Sequence, residues 1–225
     1  MASKDTQHTE QNAVENLNEH LTKAGIQVQE HKKIILWVVL AVIAVGAFVV
    51  GYFFIYKNPR ANKSWEEYAK VQMQAMGNDS IATAGFKKIA DKYNGSAGGA
   101  VASIEAGMNL YQKGDYQGAL KYLEKAEIPE PVLEASVTKL MGDCYVNLKQ
   151  YDKALGTFDK AISQADGNPQ LVPAMMMKKA NIYEKQKNYK KALETYESIK
   201  KDYPDFNYGM GMDAYINRAK GRLGM

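Results

Sequence analysis

Three segments of this 225-residue sequence align on one another at spacings of 35 and then 38 residues. They begin at Gly107, Gly142 and Ala180. A self-similar period in this range is typical of chains built from repeated supersecondary units, in which each unit buries its apolar face against its neighbours. The sequence therefore predicts an array of similar units rather than one central core.

The three segments share one pattern of small, aromatic and apolar residues. In each, a small residue precedes a tyrosine by nine positions, an alanine follows that tyrosine by three, and a larger apolar residue follows the alanine by four. A small residue on one helix lets a second helix approach closely, so the pattern predicts an antiparallel helix hairpin. The tyrosines are Tyr116, Tyr151 and Tyr189, the alanines are Ala119, Ala154 and Ala192, and the larger residues are Leu123, Phe158 and Tyr196.

These positions resemble those of the tetratricopeptide (TPR) repeat, and the resemblance recurs three times in register. It departs from the TPR pattern at Leu110, where the other two segments have Tyr145 and Tyr183, and at Ile199, which replaces an alanine. The resemblance implies an all-α fold, a right-handed TPR-like α-solenoid of about four helix hairpins. The fourth hairpin is a degenerate first unit, in which Ala82 and Phe86 repeat the alanine-to-aromatic step.

A 23-residue run without any charge, from Ile34 to Tyr56, precedes the array. At a rise of about 1.5 Å per residue such a run spans a hydrocarbon core of about 30 Å, which predicts an N-terminal transmembrane helix. Trp37, Tyr52 and Tyr56 are expected as interfacial anchors. A cleaved signal peptide is the rival interpretation, but it would have a 33-residue leading region containing five acidic residues. Basic residues flank both ends of the run, so charge does not decide its orientation.

The remaining segments complete the predicted organisation. The tail contains Val14, Leu17 and Leu21 at helical spacing, which predicts a short amphipathic helix, with a partly ordered tail as the alternative. The predicted divisions are a polar tail (1–33), a transmembrane helix (34–56), a linker (57–63), a degenerate capping unit (64–99), three TPR units (100–133, 134–171 and 172–207) and a C-terminal capping helix (208–225).

Few residues suited to catalysis or metal binding are present. All three histidines, His8, His20 and His31, lie in the tail, and Cys144 is the single cysteine. The net charge of +4 is spread along the chain, and there is no glycine-rich phosphate loop. We therefore expect no enzyme activity, no cofactor, no metal ion, no nucleic acid and no small-molecule substrate. An enzyme would need an unrecognised pocket with paired, pKa-shifted carboxylates.

The TPR resemblance implies a groove, lined by first-helix residues, that binds protein partners. The implied groove residues are Ile104, Met108 and Tyr111 in the first TPR unit, Lys139, Asp143 and Val146 in the second, and Met177, Asn181 and Glu184 in the third. The alternative for any one of them is packing against a neighbouring unit. Ile104 and Met108 stand where TPR grooves that bind a terminal carboxylate have lysine and asparagine, so that mode of chaperone binding is not expected.

The order of the parts, a tail, one uncharged helix and then degenerate TPR units, resembles the YfgM-like family of bacterial inner-membrane proteins. That resemblance implies a single-pass protein whose TPR domain faces the periplasm and serves as an accessory subunit of the SecYEG translocon. Its implied partners are translocon subunits, secretory chains or periplasmic chaperones. The alternative is a generic inner-membrane TPR scaffold for another envelope assembly, such as outer-membrane biogenesis, division or secretion.

Overall fold

The computed structural model describes residues 32–75, 78–206, 209 and 211–225. The chain divides into two compact units, Met1–Asn58 and Pro59–Met225. The amphipathic helix predicted around Val14, Leu17 and Leu21 lies outside the described residues.

The first unit contains helix α1 (Lys32–Gly51), followed by a π-helix (Tyr52–Lys57). The large apolar side chains of α1 are exposed, and Trp37 has an exposed fraction of 71%. Tyr52 is exposed and packs edge-on against Phe53, whereas the side chain of Tyr56 lies outside the described set. Among the described residues, no helix has the length and apolarity needed to cross a membrane. The transmembrane helix predicted over 34–56 is thus not confirmed.

The second unit consists of nine α-helices in the described part of the chain. They are α2 (Asn58–Gln74), α3 (Asp79–Lys92), α4 (Ala97–Gln112), α5 (Tyr116–Leu123), α6 (Pro131–Asn147), α7 (Tyr151–Gln164), α8 (Leu171–Lys185), α9 (Tyr189–Asp202) and α10 (Met212–Leu223). From α3 onward, each helix packs against the next one along the chain, and α6 also contacts α8. This succession of helix hairpins is a TPR-like solenoid, as the repeat pattern predicts.

The predicted linker over 57–63 is helical. Lys57 closes the π-helix, and α2 begins at Asn58. Pro59 does not prevent this, because a proline in the first turn of a helix sacrifices no intrahelical hydrogen bond. The first hairpin therefore starts six residues before the predicted unit at Ser64.

Close helix contacts occur where the small residues of the repeat predict them. A Cβ atom added to Gly107 would lie 2.6 Å from the side chain of Leu123, and one added to Gly142 would lie 2.5 Å from the ring of Phe158. Only a residue without a side chain fits at these crossings. The predicted reason for the small residues is confirmed.

The turns inside three hairpins share one hydrogen-bond pattern. At the end of α6, the Lys149 amide donates to the Val146 carbonyl, and the Gln150 amide donates to the Tyr145 carbonyl. The same pair of bonds follows α4 and α8, where Gly114 and Lys187 take the place of Lys149. This is the Schellman motif, whose central residue has a positive φ. The values are 81° at Gly114 and 59° at both Lys149 and Lys187.

Candidate functional site

The first helices of successive hairpins are joined by side-chain contacts along one face. The Asn147 amide donates to the Tyr111 hydroxyl over 3.4 Å, which links α6 to α4. Lys178 of α8 pairs with Asp143 of α6 at 2.7 Å. The guanidinium of Arg218 in α10 donates to both carboxylate oxygens of Glu184 in α8, at 3.1 and 3.2 Å. The predicted groove residues therefore lie on adjacent helices of a single row.

The three groove residues predicted on α4 differ in exposure. Met108 is 41% exposed, whereas Ile104 and Tyr111 are half-buried and pack against the core of the first hairpins. The Tyr111 ring also meets Tyr116 edge-on, with centroids 5.4 Å apart. Burial, with a smaller contribution from Asp143, raises the pKa of the Tyr111 hydroxyl, which stays neutral and available for hydrogen bonding at physiological pH. Met108 and Tyr111 thus offer an apolar contact beside a neutral polar group.

The residues predicted on α6 are half-buried. Asp143 is engaged by Lys178, Val146 packs against a core cluster that contains residues of α7 and α8, and Lys139 is half-buried like the other two. A partly buried ion pair between neighbouring units fixes the spacing of those units. A ligand that broke this ion pair would have to provide a new partner for each of the two charged groups. Asp143 is therefore a structural link within the row.

One predicted residue on α8 is not on the surface. The side chain of Met177 is completely buried, in a core cluster that also contains Tyr215 and Ile216 of α10. Its assignment to the groove was wrong, because α10 packs over that position. Asn181 accepts a hydrogen bond from the Tyr196 hydroxyl over 3.4 Å, and Glu184 is bound by Arg218. Burial raises the pKa of Tyr196 to about 12.

The first hairpin, predicted as a degenerate unit, packs through contacts that differ from those of the three TPR hairpins. Phe86 corresponds to Leu123 and Phe158, which pack against Gly107 and Gly142. In the first hairpin, the residue that packs against Phe86 is Tyr68, whose ring centroid lies 5.3 Å away. Val71 packs closely against Gly85, so in this hairpin the small residue of the close contact lies on the second helix. This arrangement was not predicted, because the repeat pattern places its small residue on the first helix.

The first helices present a surface that we call the first-helix face. In the three TPR hairpins it comprises the residues three before, one after and four after the small-residue position, and on α2 it comprises exposed residues spaced four and then three positions apart. Its members are Trp65, Ala69 and Gln72 on α2, Ile104, Met108 and Tyr111 on α4, Lys139, Asp143 and Val146 on α6, and Met177, Asn181 and Glu184 on α8, of which Met177 is buried.

Two cavities near the C-terminal end are separate from this face. The larger, about 450 Å³, lies between α9 and α10 and is lined by Glu197, Lys200, Lys201, Asp213, Ile216, Asn217 and Lys220. Its charges pair internally, Lys200 with Asp213 and Lys220 with Glu197. The smaller, about 130 Å³, lies around Pro169, Tyr203 and Phe206. Neither contains a residue of the first-helix face.

Across the described ranges, no three histidine, cysteine, aspartate or glutamate side chains are grouped so that they could bind a metal ion. Cys144 is buried, and burial raises the pKa of its thiol to about 12. A thiol with that pKa is not a nucleophile at neutral pH.

Comparison with known proteins identifies similar repeats. Residues 86–217, more than half of the chain, match the family described as tetratricopeptide repeat protein 21 ARM repeat. Among solved structures, MamA aligns with a TM-score of 0.56 at 17% identity, over 74% of this chain and 84% of that one.

Two further solved structures share the fold. BtubC from P. vanneervenii aligns with a TM-score of 0.52 at 9% identity, over 75% of this chain and 85% of that one. A chain of the APC/C hetero-tetramer Cut9–Hcn1 aligns with a TM-score of 0.50 at 17% identity, over 66% of this chain but 28% of that one. At such identities these similarities show the fold alone.

Proposed function

The chain belongs to the tetratricopeptide repeat protein 21 ARM repeat family, and on that premise we propose that it is a scaffold that binds a partner protein on its first-helix face. The observation that carries this proposal is the continuity of that face. Contacts from Tyr111 to Asn147, from Asp143 to Lys178 and from Glu184 to Arg218 align the first helices. An aligned row of helices presents an extended surface, which is how repeat arrays recognise other proteins.

The second part of the proposal is a single-pass membrane anchor over 34–56. It is supported by the absence of charge throughout this run and by the exposure of apolar side chains along α1, such as Val42 and Phe48. A helix that exposes so much apolar surface is stable only when lipid or another protein covers it. Trp37 and Tyr52 then lie near the two ends of the run, where interfacial aromatics anchor a helix.

The third part concerns location and partner. The order of parts and its resemblance to YfgM-like proteins support an inner-membrane protein with a periplasmic array. The same resemblance supports a role as an accessory subunit of the SecYEG translocon, contacting secretory chains or envelope chaperones. A scaffold for a different envelope assembly is the alternative within the same architecture, and the experiment below separates the two.

In-cell photo-crosslinking tests these proposals. A photoreactive amino acid at Tyr111 reports on the first-helix face, and one at Val42 reports on the proposed anchor, with captured proteins identified by mass spectrometry. Protease access to the array in intact and opened cells reports the topology. Two altered chains, one lacking residues 59–225 and one with an unrelated anchor in place of 34–56, separate the two surfaces.

We expect loss of the array to abolish capture and the anchor exchange to preserve most of it. Capture of translocon subunits or emerging secretory chains supports the secretion role, whereas capture of another assembly's subunits supports the alternative. Loss of capture on anchor exchange alone would place the binding site in the anchor. A cytoplasmic array would contradict the proposed orientation.

A further inference from the structure

We infer that the first-helix face binds an uncharged, apolar segment of its partner, and that this segment docks on the N-terminal half of the face, on α2 and α4. The inference rests on the proposed function, because it specifies where on the face the partner binds and with which chemistry. It uses the orientation of α2, in which Tyr68 and Val71 pack toward α3 while Trp65 is exposed.

Charge is distributed unevenly along the first-helix face. The six residues on α2 and α4 include no charged side chain, whereas the six on α6 and α8 include Lys139, Asp143 and Glu184. An interface core is depleted in charge, because each charge removed from water must be matched by a partner. An apolar segment can therefore cover the N-terminal half of the face with a smaller desolvation penalty than the C-terminal half.

The charges of the C-terminal half are already engaged within the array. Asp143 is held by Lys178 at 2.7 Å, and Glu184 is held by Arg218 through two hydrogen bonds. A ligand that approached these groups would have to desolvate both ion pairs or break them. Because Met177 is buried, that half also lacks the exposed apolar anchor that its sequence indicates.

Exposed anchors of the expected kind are present on α2 and α4. Trp65 is 43% exposed and Met108 is 41% exposed; Met73, which lies beside the face on α2, is 67% exposed. Tryptophan supplies a large contact area at protein interfaces, and methionine adapts its shape to varied apolar side chains. Ala69 lies one turn from both Trp65 and Met73, and its small side chain leaves room for a partner group between them.

Charged groups of both signs lie beside this half. Glu66 binds Lys70 one turn along α2 at 2.6 Å, and the Tyr68 hydroxyl donates to the Glu105 carboxylate over 3.5 Å. Because both signs are present, these groups form no concentrated charge of one sign that would attract an ionic ligand. The surface therefore favours an apolar partner whose affinity depends little on salt.

Peptide binding to the full chain in lipid nanodiscs tests the inference. The chain contains two tryptophans, Trp37 and Trp65, so Trp37→Phe makes Trp65 the only indole reporter. The probes are a short uncharged peptide rich in leucine and phenylalanine, the same peptide with those residues replaced by serine, and an acidic version of the serine peptide. Each carries a fluorophore on a neutral solubilising tether for anisotropy measurements.

We expect only the apolar peptide to bind, to change the Trp65 fluorescence, and to keep its affinity within about twofold when salt is raised to about 500 mM. Met108→Ser should weaken it at least about fivefold, because an apolar contact is lost. Asp143→Asn, in the C-terminal half of the face, is the comparison that localises the site. Lys160→Gln, at an exposed position on α7 outside the face, is the control and should change the affinity by less than about twofold. Circular dichroism spectra check that each variant is folded.

Several results would overturn the inference. These are equal binding of the serine peptide, preferential binding of the acidic peptide, a loss of affinity in Asp143→Asn but not in Met108→Ser, or no peptide binding at all. In cells, a crosslinker at Ala69 is compared with one at Lys139. Capture from Lys139 alone contradicts the inference but leaves the scaffold role intact, whereas capture from neither position contradicts the scaffold role itself.

Discussion

Gly142 lies directly beneath the ring of Phe158, so that a Cβ atom at position 142 would come within 2.5 Å of Cε1. Phe158 of α7 is fully buried, in a core cluster with Ala154 and Ala161. The contact fixes how closely the two helices of this hairpin approach. It also explains why a helix interior carries glycine, which is otherwise among the poorest helix formers.

Gly142→Ala is therefore expected to destabilise the α6–α7 hairpin. Overpacking a rigid core costs about 1–3 kcal/mol, which exceeds the gain in helix propensity of about 1 kcal/mol. Amide hydrogen exchange in α6 and α7 of the full chain measures the change, and faster exchange is expected.

Gly156→Ala is the matched control, because Gly156 lies inside α7 with nothing within 4 Å of its added Cβ atom. This variant should be more stable by about 0.5–1 kcal/mol, since only the propensity term remains. Equal stabilisation of both variants would show that Phe158 yields readily and that the glycine does not set the helix spacing.

Lys149 and Lys187 have positive φ in turns where the first TPR hairpin has Gly114. A left-handed conformation costs a non-glycine residue about 1–2 kcal/mol, partly offset by the greater freedom of glycine in the unfolded chain. Lys149→Gly and Lys187→Gly should each stabilise the array by about 0.5–1 kcal/mol, raising its thermal midpoint.

Lys160→Gly makes the same substitution inside α7, where the backbone is right-handed, and should destabilise by about 1 kcal/mol. Gly114→Ala should also destabilise, by about 1 kcal/mol, because alanine tolerates the left-handed region poorly. If Lys149→Gly and Lys160→Gly behaved alike, turn strain would not contribute to stability.

The burial of Cys144 makes the free energy of unfolding depend on pH. Its thiol pKa is raised from 9.0 to about 12 by burial, so the unfolded chain loses this proton first as pH rises. The sign follows from proton linkage: the unfolded state binds fewer protons between pH 9 and about 12, so stability falls through that window. The slope for one such group is at most about 1.4 kcal/mol per pH unit.

Denaturation of the full chain at a series of pH values checks this, with Cys144→Ala as the comparison. The variant should lose less stability above pH 9, while the contribution of Tyr196, whose pKa rises from 10.0 to about 12, remains in both proteins. In the unmodified chain, a thiol reagent should react slowly until denaturant is added. Rapid reaction of the native protein at pH 8 would contradict the buried environment.

The repeat was predictable because close packing imposes a strict periodic requirement on residue size. Positions 107 and 142 need a glycine because each faces a large side chain, Leu123 or Phe158. That relation between small and large residues is visible in the sequence. The first hairpin departs from the pattern because its close contact is reversed, with Val71 on α2 packing against Gly85 on α3. A pattern that expects the small residue on the first helix does not detect this arrangement.

The candidate site was predicted less well than the fold. Register alone places Met177 on the first-helix face, yet its burial depends on where α10 packs, which is decided by tertiary contacts of Tyr215 and Ile216. The pairing of Asp143 with Lys178 is equally long-range, since it joins two helices from different units. Trp65 was not predicted for the face because it lies outside the three aligned segments, so no recurring position marked it.

Arg218 holds α10 at the end of the array through its two hydrogen bonds to Glu184, and it also lies over the ring of Tyr215, 4.9 Å from the centroid. Both groups of the ion pair are partly exposed, so its contribution is modest, about 0.5–1 kcal/mol. Arg218→Ala should therefore increase the hydrogen exchange of α10 amides by about two- to fivefold. Arg218→Lys should recover only part of the protection, because lysine keeps the charge but not the bidentate geometry.

Arg222→Ala, an exposed position in the last turn of the same helix, is the control and should leave exchange unchanged. Equal effects of Arg218→Ala and Arg222→Ala would show that net charge, rather than the contact with Glu184, stabilises α10.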